Sequence, residues 1–370
     1  MKLGIFGGTF NPPHNTHRNI LLQAVKQLRL DKVLVVPCGD PPHKFCAVDK
    51  LARLDMARLA FGDAAEIFDY EINKQGKSYT LDTITEVKRL YPQADIYLII
   101  GGDSLADFPK WHCPEQIARL CTLVVAQRGE RELYDTAKRL DSVYGTKTEF
   151  LDITPDSVSS TEIRLRYEFG QTVSDVPQAV DEYIRKTGLY SRFRDTALKI
   201  KEYLTPERFR HTFYVVKRGL ELAPDGLQDK AFAACLLHDV AKYVPPSDYA
   251  KYGFIPSDDM PPSVVHSFLG AEVARQDFGI TDKEILDAIA FHTTGRPNMT
   301  ELDKIVYVAD KTEESRPYPL EHLLVGSLDD KFIACLTEAY EICLQRHCDS
   351  VCPLSERTLE YYCRNKSEKT

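Results

Sequence analysis

The sequence has little that would mark a nucleic-acid binder, a membrane protein or a disulfide-stapled secreted domain. Acids outnumber bases, 55 Asp and Glu against 47 Lys and Arg, for a net charge of −8. Phosphate backbones are held by clustered Lys and Arg, whereas here the cations are interleaved with acids, so a general nucleic-acid role is excluded. A small phosphorylated ligand, which needs only a few local cations, is not. No apolar run approaches the ~20 residues of a membrane span. The opening MKLGIFGG reads as a buried strand entering a glycine turn, without the long apolar core of a signal peptide. The 10 cysteines include no C-x-x-C and form no disulfide framework, so reduced thiols and a cytoplasmic setting are expected. Cys343, His347, Cys348 and Cys352 lack paired close-spaced ligands and fall in a helical pattern, which reads as packing rather than a zinc site.

At 370 residues the chain exceeds what one hydrophobic core usually organises, and two domains are expected. Short apolar runs at 3–6, 33–37, 67–70, 96–100, 123–126 and 150–153 alternate with helical patterns. Alternation of that kind predicts an α/β domain with a Rossmann-like parallel sheet. Past Ser191 the strand-like runs stop. Apolar residues then recur at three- and four-residue spacing over 209–222, 230–242, 267–278, 283–291 and 302–312, which predicts an all-α second domain. The segment Thr187-Gly188-Leu189-Tyr190-Ser191 carries a helix-ending glycine, so the domains are expected at 1–190 and 191–370. No internal repeat is evident.

The string from Gly7 to His17, GGTFNPPHNTH, follows the first strand and precedes a helix expected at 18–27. Its glycines let backbone approach a ligand, and its imidazoles at 14 and 17 lie on one side of a helix start. Helix N-terminal amides favour anions, so His14 and His17 are candidates to bond a phosphoryl group. It is neither G-x-G-x-x-G nor a P-loop. Residue by residue the plain reading is a glycine turn with two surface histidines, and Trp111, the sole tryptophan, would by itself be core.

Together the residues say more. The string resembles the signature of the nucleotidylyltransferase superfamily, in which G-G-T-F-N-P-P-H runs into H-x-G-H. Four further segments resemble nicotinate-nucleotide adenylyltransferase in order: Pro42-His43-Lys44; Ser78-Tyr79-Thr80-Leu81-Asp82-Thr83; Gly101-Gly102-Asp103-Ser104-Leu105 with Phe108 and Trp111; and Ser159-Ser160-Thr161-Glu162-Ile163-Arg164. The resemblance implies that His14, His17, Lys44 and Arg164 act on the phosphoryl group, and that Gly7, Gly8, Thr9, Phe10, Ser159, Ser160 and Thr161 hold ATP and its phosphates. It implies that Tyr79, Thr80, Asp82, Thr83, Gly102, Asp103 and Trp111 hold nicotinate mononucleotide, with Mg²⁺ arriving on ATP. Thr16 stands where the family has glycine, and Gly102 where it has alanine.

In the second half the chemistry-bearing residues are His211, His238, Asp239, His266, His292 and Asp310. Imidazole and carboxylate are suitable ligands for Fe, Mn or Zn. His238 and Asp239 fall in an apolar helical pattern at 231–240, where a charged pair is costly unless satisfied, and a metal would satisfy it. Any one of these histidines taken singly reads as a core residue, and His112, His322 and His347 are left with that reading. The ordered set resembles the HD-domain phosphohydrolase superfamily, including the extra histidines of its two-metal members. Leu237-His238-Asp239-Val240-Ala241-Lys242 and Ala309-Asp310-Lys311-Thr312-Glu313-Glu314-Ser315-Arg316 resemble the L-H-D-x-x-K and A-D-x-x-E-P-x-R elements of the bacterial HD family that cleaves diadenosine tetraphosphate into two ADP. Glu314 stands for the proline. This implies the six residues as ligands of two divalent metals, iron first with manganese or zinc as alternatives, and Lys242 and Arg316 as contacts to substrate phosphates.

The leading expectation is therefore a bifunctional enzyme. Its rivals are a helical half acting on another phosphoester, and a half that senses nucleotide without turnover. Homo-oligomer formation is left open.

Overall fold

The computed structural model describes residues 1–40, 46, 48–127, 131–153, 158–345 and 352–367, with side chains up to 364. Lys44, expected at the triphosphate, lies outside the described residues with Pro42 and His43, as do His347 and Cys348. The chain divides into two compact units, Met1–Tyr167 with Gln171–Tyr190, and Glu168–Gly170 with Ser191–Thr370.

The first unit is built on six parallel strands: β1 (Lys2–Gly8), β2 (Lys32–Pro37), β3 (Glu66–Ile67), β4 (Asp95–Ile100), β5 (Thr122–Val125) and β6 (Lys147–Phe150). Their order is β3-β2-β1-β4-β5-β6. Both sheet faces are covered, which is why the strands read as near-continuous apolar runs. Val33 and Val35 point into one core with Leu21, Ala24 and Leu28 of α1 (Asn15–Leu28), Met56 and Phe61 of α2 (Lys50–Phe61), Ile163 of α7 (Ser160–Glu168) and Ile184 of α8 (Gln178–Thr187). Leu34 and Val36 point into the other. There they meet Ile84 of α3 (Thr80–Leu90), Leu105 of α4 (Gly102–Asp107), Ile117 of α5 (Pro114–Leu120) and Leu140 of α6 (Arg131–Tyr144). The strand order reverses between β1 and β4, so loops leaving their carboxyl ends diverge and open a crevice there, the usual ligand position in such sheets.

Three boundaries differ from the sequence reading. The third strand is only Glu66–Ile67, and Tyr70 instead opens a helical turn, Tyr70–Asn73. The last strand is Lys147–Phe150, earlier than the apolar run, because Leu151 and Ile153 are buried in a segment that has already left the sheet. Helix α1 starts at Asn15, three residues ahead of the expectation, because His14 serves as its N-cap. Gly188 ends α8 in the left-handed conformation at φ 68°.

The described part of the second unit contains α9 (Arg194–Ile200), α10 (Pro206–Leu222), α11 (Gln228–Leu237), α12 (Pro262–Asp277), α13 (Lys283–Phe291), α14 (Glu301–Thr312), α15 (Leu328–Gln345) and α16 (Pro353–Ser367), with no strand among the described residues. Phe169, Phe213 and Phe232 make an aromatic cluster beside α10 and α11. Helix α11 is buried almost all round, from Ala231 to Leu237. It ends there rather than at 240. The chain then tightens into three-residue turns, with the Val240 amide donating to the Leu237 carbonyl at 3.1 Å and that of Lys242 to Asp239 at 2.9 Å. No described helix is long and apolar enough to cross a membrane.

Candidate functional sites

In the first unit, a cavity of about 560 Å³ opens at the crevice between β1 and β4. Gly7, Gly8, Thr9 and His17 border it on one side, and Tyr79, Thr80, Thr83 and Trp111 on another. Motifs up to about a hundred residues apart in sequence thus share one cavity. A Cβ at Gly8 would come to 2.9 Å from the buried Phe10 ring, so any larger residue there would have to displace that ring. That ring is buried and packs edge-on against Phe61 at 5.1 Å.

The two histidines form a unit at the start of α1. The His14 amide donates to His17 Nδ1 at 3.2 Å, and the rings lie 3.8 Å apart. Burial and the neighbouring His14 lower the His17 pKa to about 3. With Nδ1 accepting, the neutral His17 ring carries its proton on Nε2. Thr16 has no left-handed φ, so its helical backbone does not require the family's glycine.

The segment at 159–164 docks onto the same loop from β1. Ser160 Oγ donates to the Pro12 carbonyl at 3.0 Å. Arg164 donates to the Asn11 carbonyl at 2.8 Å and to Thr161 Oγ1 at 3.1 Å, and burial lowers its pKa. Ser159 Oγ accepts from the Glu162 amide at 3.1 Å, capping α7. These contacts hold the glycine loop.

At the other end of the cavity Trp111 packs on Phe108, with ring centres 5.5 Å apart. His112, read from the sequence as uninvolved, also borders the cavity and lies 4.6 Å from the Tyr79 ring. Thr83 Oγ1 donates to Glu71 at 2.6 Å. Asp82 instead pairs with Lys74, and Asp103 sits exposed in the first turn of α4. A Cβ at 102 would meet only the end of the flexible Gln127 side chain, Oε1 at 2.7 Å, so the backbone there does not demand glycine.

Sequence reasoning missed Arg53. Its fully buried guanidinium donates to the carbonyls of Thr9 at 3.1 Å, Cys38 at 2.6 Å and Gly39 at 2.7 Å, tying the loops after β1 and β2 together. The available signal was its register, four residues before Ala57 on the buried face of α2.

In the second unit all six expected ligands converge, each from a different helix or helix end except the adjacent His238 and Asp239. His211 Nε2 is 3.2 Å from Asp310 Oδ1, and His238 Nε2 is 3.9 Å from the same oxygen and 3.4 Å from Asp239 Oδ2. His266 Nε2 and His292 Nε2 lie 3.1 and 3.7 Å from Asp239 Oδ1. Two groups have ligand atoms close enough to share an ion, His211 with His238 and Asp310, and His238 with Asp239 and His292.

The imidazoles are aimed from behind. His238 Nδ1 donates to the Cys235 carbonyl at 2.7 Å and His292 Nδ1 to that of Ile289 at 2.8 Å, while His211 Nδ1 meets Glu313 Oε1 at 3.1 Å. Each Nε2 is thereby left as an acceptor facing the carboxylates. The buried Nε2 atoms of His211 and His238 have no hydrogen-bond partner, a costly state in a polypeptide alone and the donor set a divalent ion needs. The residues therefore fit a metal. Burial opposes ionisation of Asp239, but the surrounding imidazoles hold its carboxyl well below the usual range. Burial lowers the His292 pKa to about 4, keeping its ring neutral.

Around the carboxylates stand four cations. Arg208 reaches Asp239 at 3.0 Å, Lys242 lies 3.1 Å from His266 Nε2, and Lys311 and Arg316 contact Asp310 at 2.6 and 3.1 Å. Glu314, in place of the family's proline, points outward to Lys217 at 2.7 Å and leaves Arg316 in reach of Asp310. Arg208 and Glu313 were missed in the sequence: an arginine three residues before a histidine and one of two consecutive glutamates look like helix-surface charge.

Fold and clusters define the class, a nucleotide-site α/β unit joined to a helical unit with a histidine–aspartate centre. A Cytidylyltransferase-like family model matches residues 5–166, and an HD domain model matches 208–315. Over 198 residues the chain is 40% identical to a "Probable nicotinate-nucleotide adenylyltransferase" of Clostridium tetani, covering 51% of this chain and 98% of that protein. Over 327 residues it is 32% identical to a "Probable nicotinate-nucleotide adenylyltransferase/Ap4A hydrolase" of Mycoplasma genitalium, covering 85% of this chain and 88% of the relative. A crystal structure of a predicted HD superfamily hydrolase involved in NAD metabolism, from Clostridium acetobutylicum, covers 45% of this chain and 96% of its own at 26% identity and TM-score 0.40. The chain belongs to the nicotinate-nucleotide adenylyltransferase/Ap4A hydrolase family of enzymes.

Proposed function

We propose that the first unit transfers AMP from ATP to nicotinate mononucleotide, and that the second hydrolyses diadenosine tetraphosphate into two ADP. The observation that carries this reading is the likeness to a relative named for both activities along 85% of the chain, across both units.

In the transferase reaction an oxygen of the mononucleotide phosphate bonds to the α-phosphorus of ATP as the bond to pyrophosphate breaks. The nucleophile arrives ionised, so catalysis is positioning and charge stabilisation. Mg²⁺ enters with the triphosphate as part of the substrate. His17 Nε2–H donates to the charge developing on the phosphoryl oxygens, with His14 beside it and Lys44 at the triphosphate. Arg164, Ser160 and Arg53 hold the glycine loop in shape, while Gly7, Gly8 and Thr9 offer it to ATP with Ser159 and Thr161 near the phosphates. Tyr79, Thr80, Thr83 and Trp111, with the Gly102–Asp103 turn, enclose the mononucleotide.

Two outcomes are expected. Trp111→Ala should raise KM for the mononucleotide more than for ATP, by about 1–3 kcal/mol of lost stacking. Equal increases for both substrates would return Trp111 to a purely packing role.

The second concerns pH. His17 is held at about 3 against an ordinary 6.5, so between those values the unfolded chain binds a proton that the folded chain refuses. Its contribution to stability is complete above pH 6.5 and declines as the pH falls toward 3. Thermal stability of His17→Gln, which has no imidazole to titrate, should fall less steeply over that interval than wild type. Parallel curves would contradict the half-buried, neutral ring.

In the hydrolase, two divalent metals, iron first with manganese or zinc as alternatives, would be held by His211, His238, Asp239, His266, His292 and Asp310. When bound, such ions lower the pKa of a coordinated water and neutralise phosphate charge. The chain's own part is to fix each imidazole by its Nδ1 partner, to keep the two carboxylates ionised, and to offer Lys242 and Arg316 to the phosphate chain.

A further inference from the structure

Asp239 is shared unequally. One carboxylate oxygen faces His266 and His292, and the other faces His238 at 3.4 Å and the Arg208 guanidinium at 3.0 Å. Arg208 lies one turn before His211 on α10, so the two side chains leave the same helix face. The Asp239 side chain is 3% exposed and that of Arg208 is 29% exposed, so the arginine runs from solvent to the centre. Its ion pair among the described residues is with Asp239 alone. The other arginine at the centre serves the second carboxylate: Arg316 donates to the Asp310 carbonyl at 2.5 Å and its carboxylate at 3.1 Å, with Glu313 3.6 Å behind.

We infer that Arg208 is a further phosphate-binding residue of the hydrolase, aimed at the metal centre beside Asp239 so that it holds an oxygen of a nucleoside polyphosphate there. The reasoning is electrostatic. A divalent ion at Asp239 cancels the charge that attracts Arg208 and repels the guanidinium, unless an anion lies between them. A phosphate is that anion, and the planar guanidinium fork can bind two of its oxygens at once. A residue that only neutralised Asp239 would be redundant once metal is bound. The inference rests on the hydrolase reading given above.

The test uses the full-length chain as wild type, Arg208→Gln and Arg208→Lys. Mn²⁺ affinity is measured by titration, ADP binding to the Mn²⁺-loaded proteins by calorimetry, and hydrolysis of diadenosine tetraphosphate by chromatography. Arg208→Gln should bind Mn²⁺ at least as tightly as wild type, because a competing cation is gone. Its ADP affinity should drop about tenfold or more, with a matching rise in KM, in line with losing a charge-assisted hydrogen bond. Arg208→Lys should fall between. Weaker Mn²⁺ binding by Arg208→Gln, or unchanged ADP binding, overturns the inference and leaves Arg208 a structural counter-ion. If wild type binds Mn²⁺ and ADP yet leaves diadenosine tetraphosphate intact, the substrate assignment fails while the ADP comparison still decides the role of Arg208.

Discussion

Replacing His17 by alanine is expected to slow adenylyl transfer by on the order of 10²–10³ while hydrolysis of diadenosine tetraphosphate proceeds at the wild-type rate. The reason lies in how the ring is held. Its Nδ1 accepts from the His14 amide at 3.2 Å, so its remaining proton is on Nε2, in a ring bordering the cavity between β1 and β4. A donor fixed before the reaction begins costs no reorganisation when charge develops on the phosphoryl group. Removing it should therefore lower kcat more than it raises KM for either substrate. Asparagine, which keeps an N–H donor, should recover part of the loss. Transfer by His17→Ala within a few-fold of wild type would remove His17 from the reaction. A loss of both activities would point to misfolding instead, which circular dichroism of the same sample would report.

Replacing Asp239 by alanine should have the converse effect: bound metal and hydrolase activity lost together, adenylyl transfer retained. One Asp239 oxygen lies 3.1 and 3.7 Å from two imidazoles, the other 3.4 Å from a third, so its removal leaves nitrogens without a charge to balance an ion. Even partners one shell away from a metal are worth about 10–100-fold in affinity, and a direct carboxylate ligand should exceed that. Asp239→Asn preserves shape while removing the charge, and separates ligation from packing. Retention of metal by both variants, measured by elemental analysis of protein purified without chelator, would show that the centre is not organised around Asp239.

Much of this architecture can be read from residue order. The two-sided burial of the sheet makes β2 a continuous apolar run, and the switch to three- and four-residue spacing after Ser191 follows from helices packing on helices. The six histidine and aspartate positions converge, because His211, His266 and Asp310 sit on the buried sides of helices and His238, Asp239 and His292 in the buried turns at helix ends. What escapes the sequence is set by tertiary context. Arg53 looks like surface charge until the carbonyls of Thr9, Cys38 and Gly39 are brought around it. Glu313 and Arg208 acquire meaning only beside His211 and Asp239. Phe10 belongs to the motif, and its ring fills the core beneath the loop, a packing role that the motif alone does not reveal. His238 and Asp239 belong to no helix, since the apolar pattern continues past Leu237 into turns that remain buried.

Two chemistries in one chain are decided by identifying the products of the metal-loaded, full-length protein in two reactions. One contains ATP, Mg²⁺ and nicotinate mononucleotide, the other diadenosine tetraphosphate, and both are resolved by chromatography. Nicotinate adenine dinucleotide with pyrophosphate is expected from the first, and ADP as the sole nucleotide product of the second. Failure to form the dinucleotide, absence of hydrolysis, or cleavage into AMP and ATP would contradict this assignment.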